Sequence, residues 1–299
     1  MFENDGYLLE KIFPENNQRV INQKRQDITV IIGNPPYSGE SANKGEWIMK
    51  LMEDYKKEPG GVQKLQERNP KWINDDYVKF MRFGQHFIDK NGSGILAFIN
   101  PHGFLDNPTF RGMRWNLLKT YDKIYTIDLH GNSKKKETAP DGSIDQNVFD
   151  IMQGVSINFL VKTGNKKEKE LAKVFHYDLF GKRDLKYDFL SDNQINSIGF
   201  KELQPNEPNY FFVPKDDEGD GAGEPAQGLE AAHFTLSCLN GWVACQWRAI
   251  STRRAHQTFS WLCTYSRKRA SDARRAGRPS RRQCMPIESI FGAPATPSA

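Results

Sequence analysis

Four short apolar runs constrain the fold of this chain more than any other feature. They cover residues 28–32 (ITVII), 94–99 (GILAFI), 123–129 (KIYTIDL) and 155–161 (VSINFLV). Near-continuous apolar character over runs of this length is typical of strands buried on both faces of an α/β sheet. The sequence therefore predicts an α/β fold built on at least four buried strands.

Two amphipathic segments separate the first three runs. One predicted helix begins after Asn74, its expected N-cap, and ends at Asn91-Gly92. A second is predicted after Pro108, with Asn107 as its cap. Alternation of strand and helix is the pattern of a doubly wound sheet. Residues 131–147 are polar and predict a long loop before the fourth strand, and the run KVFHYDLF predicts a further short strand.

The composition changes abruptly near residue 218. Residues 1–218 contain 31 Lys+Arg and 32 Asp+Glu, whereas residues 219–299 contain 11 and 5. The second region has ten Arg but one Lys, and it holds all four cysteines. It also lacks a sustained period of 2 or 3.6 residues, so an irregular, Arg-rich tail is predicted there.

Three interpretations of this tail remain open. Its arginines could neutralise DNA phosphates, with its tryptophans stacking on bases. Its cysteines and histidines could bind zinc, although no Cys-x-x-Cys spacing is present. The sudden change in residue usage favours the third, a shifted reading frame or a foreign junction. The predicted organisation is a first domain over 1–165, the start of a connector or specificity module over 166–218, and the tail.

The first apolar run leads directly into Asn34-Pro35-Pro36-Tyr37. Two prolines fix the backbone of this tetrapeptide and remove two N–H donors, so the loop is stiff and rich in acceptors. The Asn34 side-chain oxygen and the Pro35 carbonyl could accept both hydrogens of an amino group, and Tyr37 offers a flat face for a base. Such a site suits adenine or cytosine, provided that the base has left its duplex. The alternative is a rigid turn that caps a buried strand.

This tetrapeptide, after an Asp-led apolar strand, resembles the catalytic motif of the amino-group DNA methyltransferases. Residues 89–107 (DKNGSGILAFINPHGFLDN) are similar to the strand and loop that follow in the adenine-N6 branch. Residues 147–164 (NVFDIMQGVSINFLVKTG) resemble its later segment, in which a Phe lies beside the flipped base. The likeness covers roughly residues 1–218 and is greatest to the type IIG and type ISP restriction–modification polypeptides. The same tetrapeptide also occurs in methyltransferases that act on glutamine side chains or RNA bases.

The resemblance implies a mechanism and a set of site residues. Asn34 and Pro35 would bind the adenine amine, Pro36 would stiffen the loop, Tyr37 would stack on the base, and Phe149 would close its other side. The implied cofactor is S-adenosylmethionine and the implied partner is double-stranded DNA with a flipped adenine. Methyl transfer is an in-line displacement in which positioning supplies much of the rate, so no metal is expected. A catalytically inactive fragment or DNA-binding remnant is the alternative function.

The family pattern also requires a glycine-rich cofactor loop after an earlier strand. Upstream of Asn34 the only glycines are Gly6 and Gly33, so we expect a Rossmann-like sheet that lacks its N-terminal, cofactor-loop half. A longer parent polypeptide or a partner subunit would then carry that half. No apolar stretch approaches the ~18 residues of a membrane span, and the N-terminus lacks a secretory pattern. We therefore expect a cytoplasmic protein without a membrane partner.

Overall fold

The structure, a computed structural model, describes residues 28–39, 41–67, 70–167 and 169–215, together with the backbone of Trp261–Tyr265 and Gln283–Pro286. Predictions for residues 1–27 and for the rest of the tail lie outside the described residues. The elements in chain order are β1 (Val30–Gly33), α1 (Glu46–Met52), α2 (Asp76–Asn91), β2 (Gly94–Pro101), α3 (Arg111–Thr120), β3 (Lys123–Asp128), β4 (Val155–Lys162), β5 (Lys173–Asp178), α4 (Arg183–Asp192), β6 (Lys201–Leu203), β7 (Trp261–Tyr265) and β8 (Gln283–Pro286). Short 3₁₀ turns cover Pro70–Asn74, His102–Phe104 and Pro108–Phe110.

These strands form one sheet in the order β6-β5-β3-β4-β2-β1-β7-β8. β1 is parallel to β2, and β3 is parallel to β5. β4 lies between β2 and β3 and is antiparallel to both. The carboxyl ends of β1, β2, β3 and β5 therefore share one edge of the sheet with the start of β4. We refer to this edge as the carboxyl edge.

The predicted α/β, Rossmann-like fold is confirmed. All four apolar runs are strands, and the fifth predicted strand is β5. The predicted boundary after residue 165 falls within the sheet, because β5 and β6 continue it beyond β3. Two short strands, β7 and β8, lie in the region predicted to be an irregular tail, and β7 pairs antiparallel with β1.

The helix ends differ slightly from prediction. The N-cap of α2 is Asp75 rather than Asn74, because residues 70–74 form a 3₁₀ turn of their own. Gly92 ends α2 in the left-handed conformation, as its sequence position predicts. Asn107 accepts a hydrogen bond from the Thr109 amide, so it caps the 3₁₀ turn that precedes α3.

The hydrophobic core has a layer on each face of the sheet. On one face, α2 and α3 cover side chains such as Ile31, Leu96 and Ile124. Gly84 permits a close helix–sheet approach, because an added Cβ would lie 2.7 Å from the Leu96 side chain. On the other face, Ile99, Ile127 and their neighbours pack beneath α4 and the chain that follows it.

Candidate functional site

The predicted motif lies at the carboxyl edge, immediately after β1. Gly33 pairs in register with Phe98 of β2, which places Asn34 beside Ile99. The Tyr37 hydroxyl lies 2.7 Å from Asn34 Oδ1 and 3.0 Å from the Ile99 carbonyl oxygen, and it can donate to either. Burial raises the pKa of Tyr37, so its hydroxyl remains a donor at neutral pH. The structure therefore joins two of the predicted site residues directly.

A buried carboxylate fixes the other end of this loop. The backbone amides of Ser38 and Gly39 lie 3.3 and 3.0 Å from the two oxygens of Asp75. Burial raises the pKa of Asp75, although the hydrogen bonds from those amides oppose the shift. Together with the rigid prolines, Asp75 and the Tyr37 hydroxyl leave the motif little freedom to change shape.

A buried amide network lies beside the motif, at the ends of β2 and β4. Asn158 donates from Nδ2 to Asn100 Oδ1 over 3.0 Å, and Asn100 donates from Nδ2 to the Pro101 carbonyl over 3.0 Å. Ser156 Oγ also contacts Asn158, and all three side chains are fully buried. Buried polar groups that satisfy one another rigidify their surroundings. Sequence analysis missed this network, because the residues belong to strands that read as apolar.

Phe149 lies in the loop before β4, on the same edge of the sheet. Its amide donates to Asn147 Oδ1 over 2.9 Å, and its carbonyl accepts from Arg183 over 3.1 Å. The ring is half-buried and lines a cavity of about 630 Å³ that residues 34–37 do not line. Tyr37 and Phe149 both pack on the rim of the core layer beneath α4.

A histidine–carboxylate cluster at the ends of β3 and β5 was not predicted. His130 Nε2 lies 2.7 Å from Asp178 and its Nδ1 lies 3.0 Å from Glu137. Burial alone would lower the pKa of His130, but hydrogen bonds to Asp178 and Glu137 outweigh it and raise the pKa to about 10. His176 also contacts Asp178, at 3.0 Å. The cluster therefore holds a charged imidazolium between two carboxylates.

His102, Asp128 and His130 could offer metal-ligand atoms that lie within 4.8 Å of one another. The hydrogen bonds favour a different use. Asn132 donates from Nδ2 to His102 Nε2 over 3.3 Å, so His102 Nδ1 carries the proton that faces Asp128 at 2.9 Å. Asn132 is oriented by the Lys135 amide, which donates to its Oδ1. These groups form a hydrogen-bond network, and His102 and Asp128 line a cavity of about 270 Å³.

The described residues contain no glycine-rich loop of the kind expected to hold S-adenosylmethionine. Gly33 ends β1, but a Cβ added there would lie 2.9 Å from the Phe98 ring, so strand packing accounts for this glycine. Gly92 and Gly94 flank the turn between α2 and β2 at the opposite edge of the sheet. In residues 28–215, as far as they are described, no glycine-rich loop follows a parallel strand.

Residues 3–135 match the sequence pattern of the Eco57I restriction-modification methylase family. No curated protein sequence matches the chain. The matched segment contains β1, the Asn34–Tyr37 motif, β2 and β3.

Solved structures share the fold, and two of them are type ISP restriction–modification enzymes. The ATP-dependent type ISP restriction-modification enzyme LlaBIII bound to DNA has 26% identity and a TM-score of 0.56 over 68% of this chain and 14% of that chain. The DrdV–DNA complex has 26% identity and a TM-score of 0.53 over 69% and 20%. A nuclease-deletion mutant of the type ISP enzyme LlaGI with a DNA substrate mimic has 25% identity and a TM-score of 0.56 over 69% and 20%.

Sequence and structure agree on the class of protein. The predicted resemblance to restriction–modification methylases is confirmed, because residues 3–135 match the pattern of such a methylase family and the fold is similar to that of type ISP restriction–modification enzymes. It spans between 14% and 20% of the length of the three enzymes compared. Among the described residues, no helix has the length and apolar character needed to cross a bilayer.

Proposed function

We propose that this chain carries the base-binding part of a site-specific DNA adenine-N6 methyltransferase of a restriction–modification system. Its substrate would be an adenine flipped out of double-stranded DNA. The methyl group would come from the sulfonium sulfur of S-adenosylmethionine. The observation that carries the proposal is the position of Asn34–Tyr37, which follows a buried parallel strand inside the segment that matches the methylase family. Ligands of open α/β sheets bind at this edge.

Each motif residue has a separate part in the proposed chemistry. Asn34 Oδ1 and the Pro35 carbonyl accept the two hydrogens of the adenine amine, which turns the nitrogen lone pair outward. Tyr37 stacks on the base, and its hydroxyl orients Asn34 through their 2.7 Å contact. Pro36 keeps the loop rigid, and Phe149 covers the opposite face of the base. An amide oxygen has two lone pairs, so Asn34 can accept from both Tyr37 and the substrate.

A second candidate is a DNA-binding remnant without turnover, and a longer parent polypeptide or a partner subunit would then carry the cofactor-binding half. The absence of a glycine-rich cofactor loop from the described residues favours this candidate. Calorimetric titration of S-adenosylmethionine into the purified chain separates the two. Heat that saturates at one site supports an enzyme, whereas a folded sample without heat supports the remnant.

The role of Asn34 is tested by the variant Asn34→Ala in a preparation that binds the cofactor. We expect methyl transfer to DNA to be abolished while cofactor affinity stays nearly unchanged, because the amide contacts the base rather than the cofactor. Transfer of tritiated methyl groups to DNA measures the first quantity and calorimetry the second. Wild-type transfer by this variant would refute the proposed mechanism.

A further inference from the structure

Two apolar side chains are exposed at the tip of the loop that precedes β4. Ile151 and Met152 have 37% and 61% of their surface accessible, and they follow Phe149 by two and three positions. We call residues 149–153 the apolar tip. It stands at the carboxyl edge, as the Asn34–Tyr37 motif does, because β4 begins where β2 and β3 end.

One side chain holds the apolar tip in a fixed shape. Asn147 accepts from the Phe149 amide over 2.9 Å and donates to the carbonyl oxygens of Gln153 and Gly131 over 2.8 and 3.2 Å. The next carbonyl, that of Gly154, accepts from the His102 amide over 3.0 Å. A loop that is already ordered loses little entropy when it binds. The apolar tip is therefore preorganised, with Ile151 and Met152 held in exposed positions.

A run of three exposed lysines lies close in the chain to the apolar tip. Ser133 donates from Oγ to the Met152 carbonyl over 3.4 Å, which joins the tip to the exposed lysines 134–136. Asp150, the carboxylate within the tip, is paired with Arg183 at 2.7 Å. An apolar projection beside a cationic segment complements a base stack flanked by phosphates.

We propose that Ile151 and Met152 form a wedge that enters the base stack of duplex DNA and fills the space left by the flipped nucleotide. This inference rests on the proposed function and adds the group that stabilises the opened duplex. Isoleucine and methionine are among the side chains that proteins insert between base steps. Phe149, at the base of the same tip, would contact the extruded base while the wedge occupies its former place.

The test measures binding of the full chain to two 30-base-pair duplexes by fluorescence anisotropy. One duplex is intact and the other carries a single tetrahydrofuran abasic site opposite thymine. The abasic duplex has a vacant position in its stack, and we expect the wild-type chain to bind it about tenfold more tightly, since opening costs least there. Met152→Ala is expected to lower this preference by about fivefold or more, because less apolar surface then fills the vacant position.

Two variants serve as controls. Met152→Leu keeps the apolar volume and is expected to retain the wild-type preference. Leu171→Ala removes a side chain that is 42% exposed before the start of β5, at the opposite edge of the sheet, and is also expected to retain it. An unchanged preference in Met152→Ala would overturn the wedge while leaving DNA as the substrate. A wild-type chain that binds neither duplex would overturn both the wedge and the proposed function.

Discussion

The Tyr37 hydroxyl contacts the side chain on which the proposed chemistry depends. It has one hydrogen and two acceptors within reach, Asn34 Oδ1 and the Ile99 carbonyl. When the hydrogen points to Asn34, the amide is held with its oxygen toward the tyrosine. When it points to Ile99, the amide oxygen is left to the substrate. In the proposed mechanism, this tyrosine would therefore combine a stacking face for the base with a hydroxyl that orients Asn34.

Tyr37→Phe separates these two contributions. The ring remains, but the orienting hydrogen bond is lost, which is worth about 1 kcal/mol and corresponds to roughly a fivefold loss of methyl-transfer rate. Tyr55→Phe is the matched control. The buried Tyr55 hydroxyl donates to Gln85 over 2.7 Å and is not part of the motif. Both variants should lose about 1 kcal/mol in urea unfolding, and only Tyr37→Phe should slow transfer. Equal rates in the two variants would contradict the orienting role.

For individual site residues, the sequence allowed prediction only where the residues are close together in the chain. The motif is contiguous, and its prolines and aromatic ring indicate their chemistry without a structure. The histidine cluster is not, since His130 and Asp178 lie 48 positions apart and meet only because β3 and β5 are parallel neighbours. Polar residues at the ends of β3 and β5 could have indicated this cluster, but the sequence does not show that these two strands pair.

Among the elements, the long loop between β3 and β4 is held more firmly than its polar composition suggests. Asp145 and Lys186 are fully buried in an ion pair of 2.7 Å between this loop and α4. Lys186 also donates to the carbonyls of Leu129 and Gln146. The His130 cluster ties the same loop to β5. Strand identities were predicted from apolar runs, but the insertion of β4 between β2 and β3 was not, because local patterns carry no information on strand order.

The His130 cluster gives this loop a pH-dependent stability. The folded pKa of His130 is about 10, against about 6.5 for an unperturbed histidine. Its contribution is therefore complete below about pH 6.5 and is lost as the pH rises through about 10. Burial would raise the pKa of Glu137, but the hydrogen bond from His130 outweighs it and lowers the pKa to about 2. The carboxylate contribution is thus lost only as the pH falls below about 4.5 toward 2.

His130→Asn tests this dependence. Asparagine tolerates the positive φ of 48° at this position, so the variant reports the loss of charge rather than backbone strain. We expect a destabilisation of about 3 kcal/mol at pH 5.5, which shrinks steadily toward pH 10. Urea unfolding of both proteins across this range measures the difference. A gap that stays constant with pH would show that His130 does not carry the charge.

At the scale of the whole molecule, one arginine ties the end of the described chain to its middle. Arg114 of α3 is fully buried and donates to the Asn209 carbonyl from Nε and Nη2 over 2.9 and 2.7 Å. Its Nη1 donates to the carbonyls of Phe104 and Asn107. Burial lowers its pKa to about 9. Residues 204–215 are thereby fastened to the side of the sheet that carries α3, and Phe212 packs at 6.4 Å from Phe104.

Arg114→Lys should release this segment. Lysine keeps the charge but cannot donate in the planar fork, so the Asn209 carbonyl loses at least one partner, at a cost of about 2 kcal/mol. We expect faster amide hydrogen exchange across residues 205–213, measured by mass spectrometry. Arg183→Lys is the control, since Arg183 contacts carbonyls of residues 147 and 149 and its loss should act there instead. Unchanged exchange in residues 205–213 would refute the clamp.

The position of β4 also affects the order in which the sheet can form during translation. In the described sheet, β2 and β3 meet only through β4, although β4 is synthesised after both. A nascent chain that has emerged from the ribosome as far as residue 150 holds two apolar strands with an unfilled gap between them, and such edges invite pairing with other chains. The emergence of residues 155–162 supplies the strand that fills this gap. Chaperone protection would therefore be needed most while the polar loop before β4 is emerging.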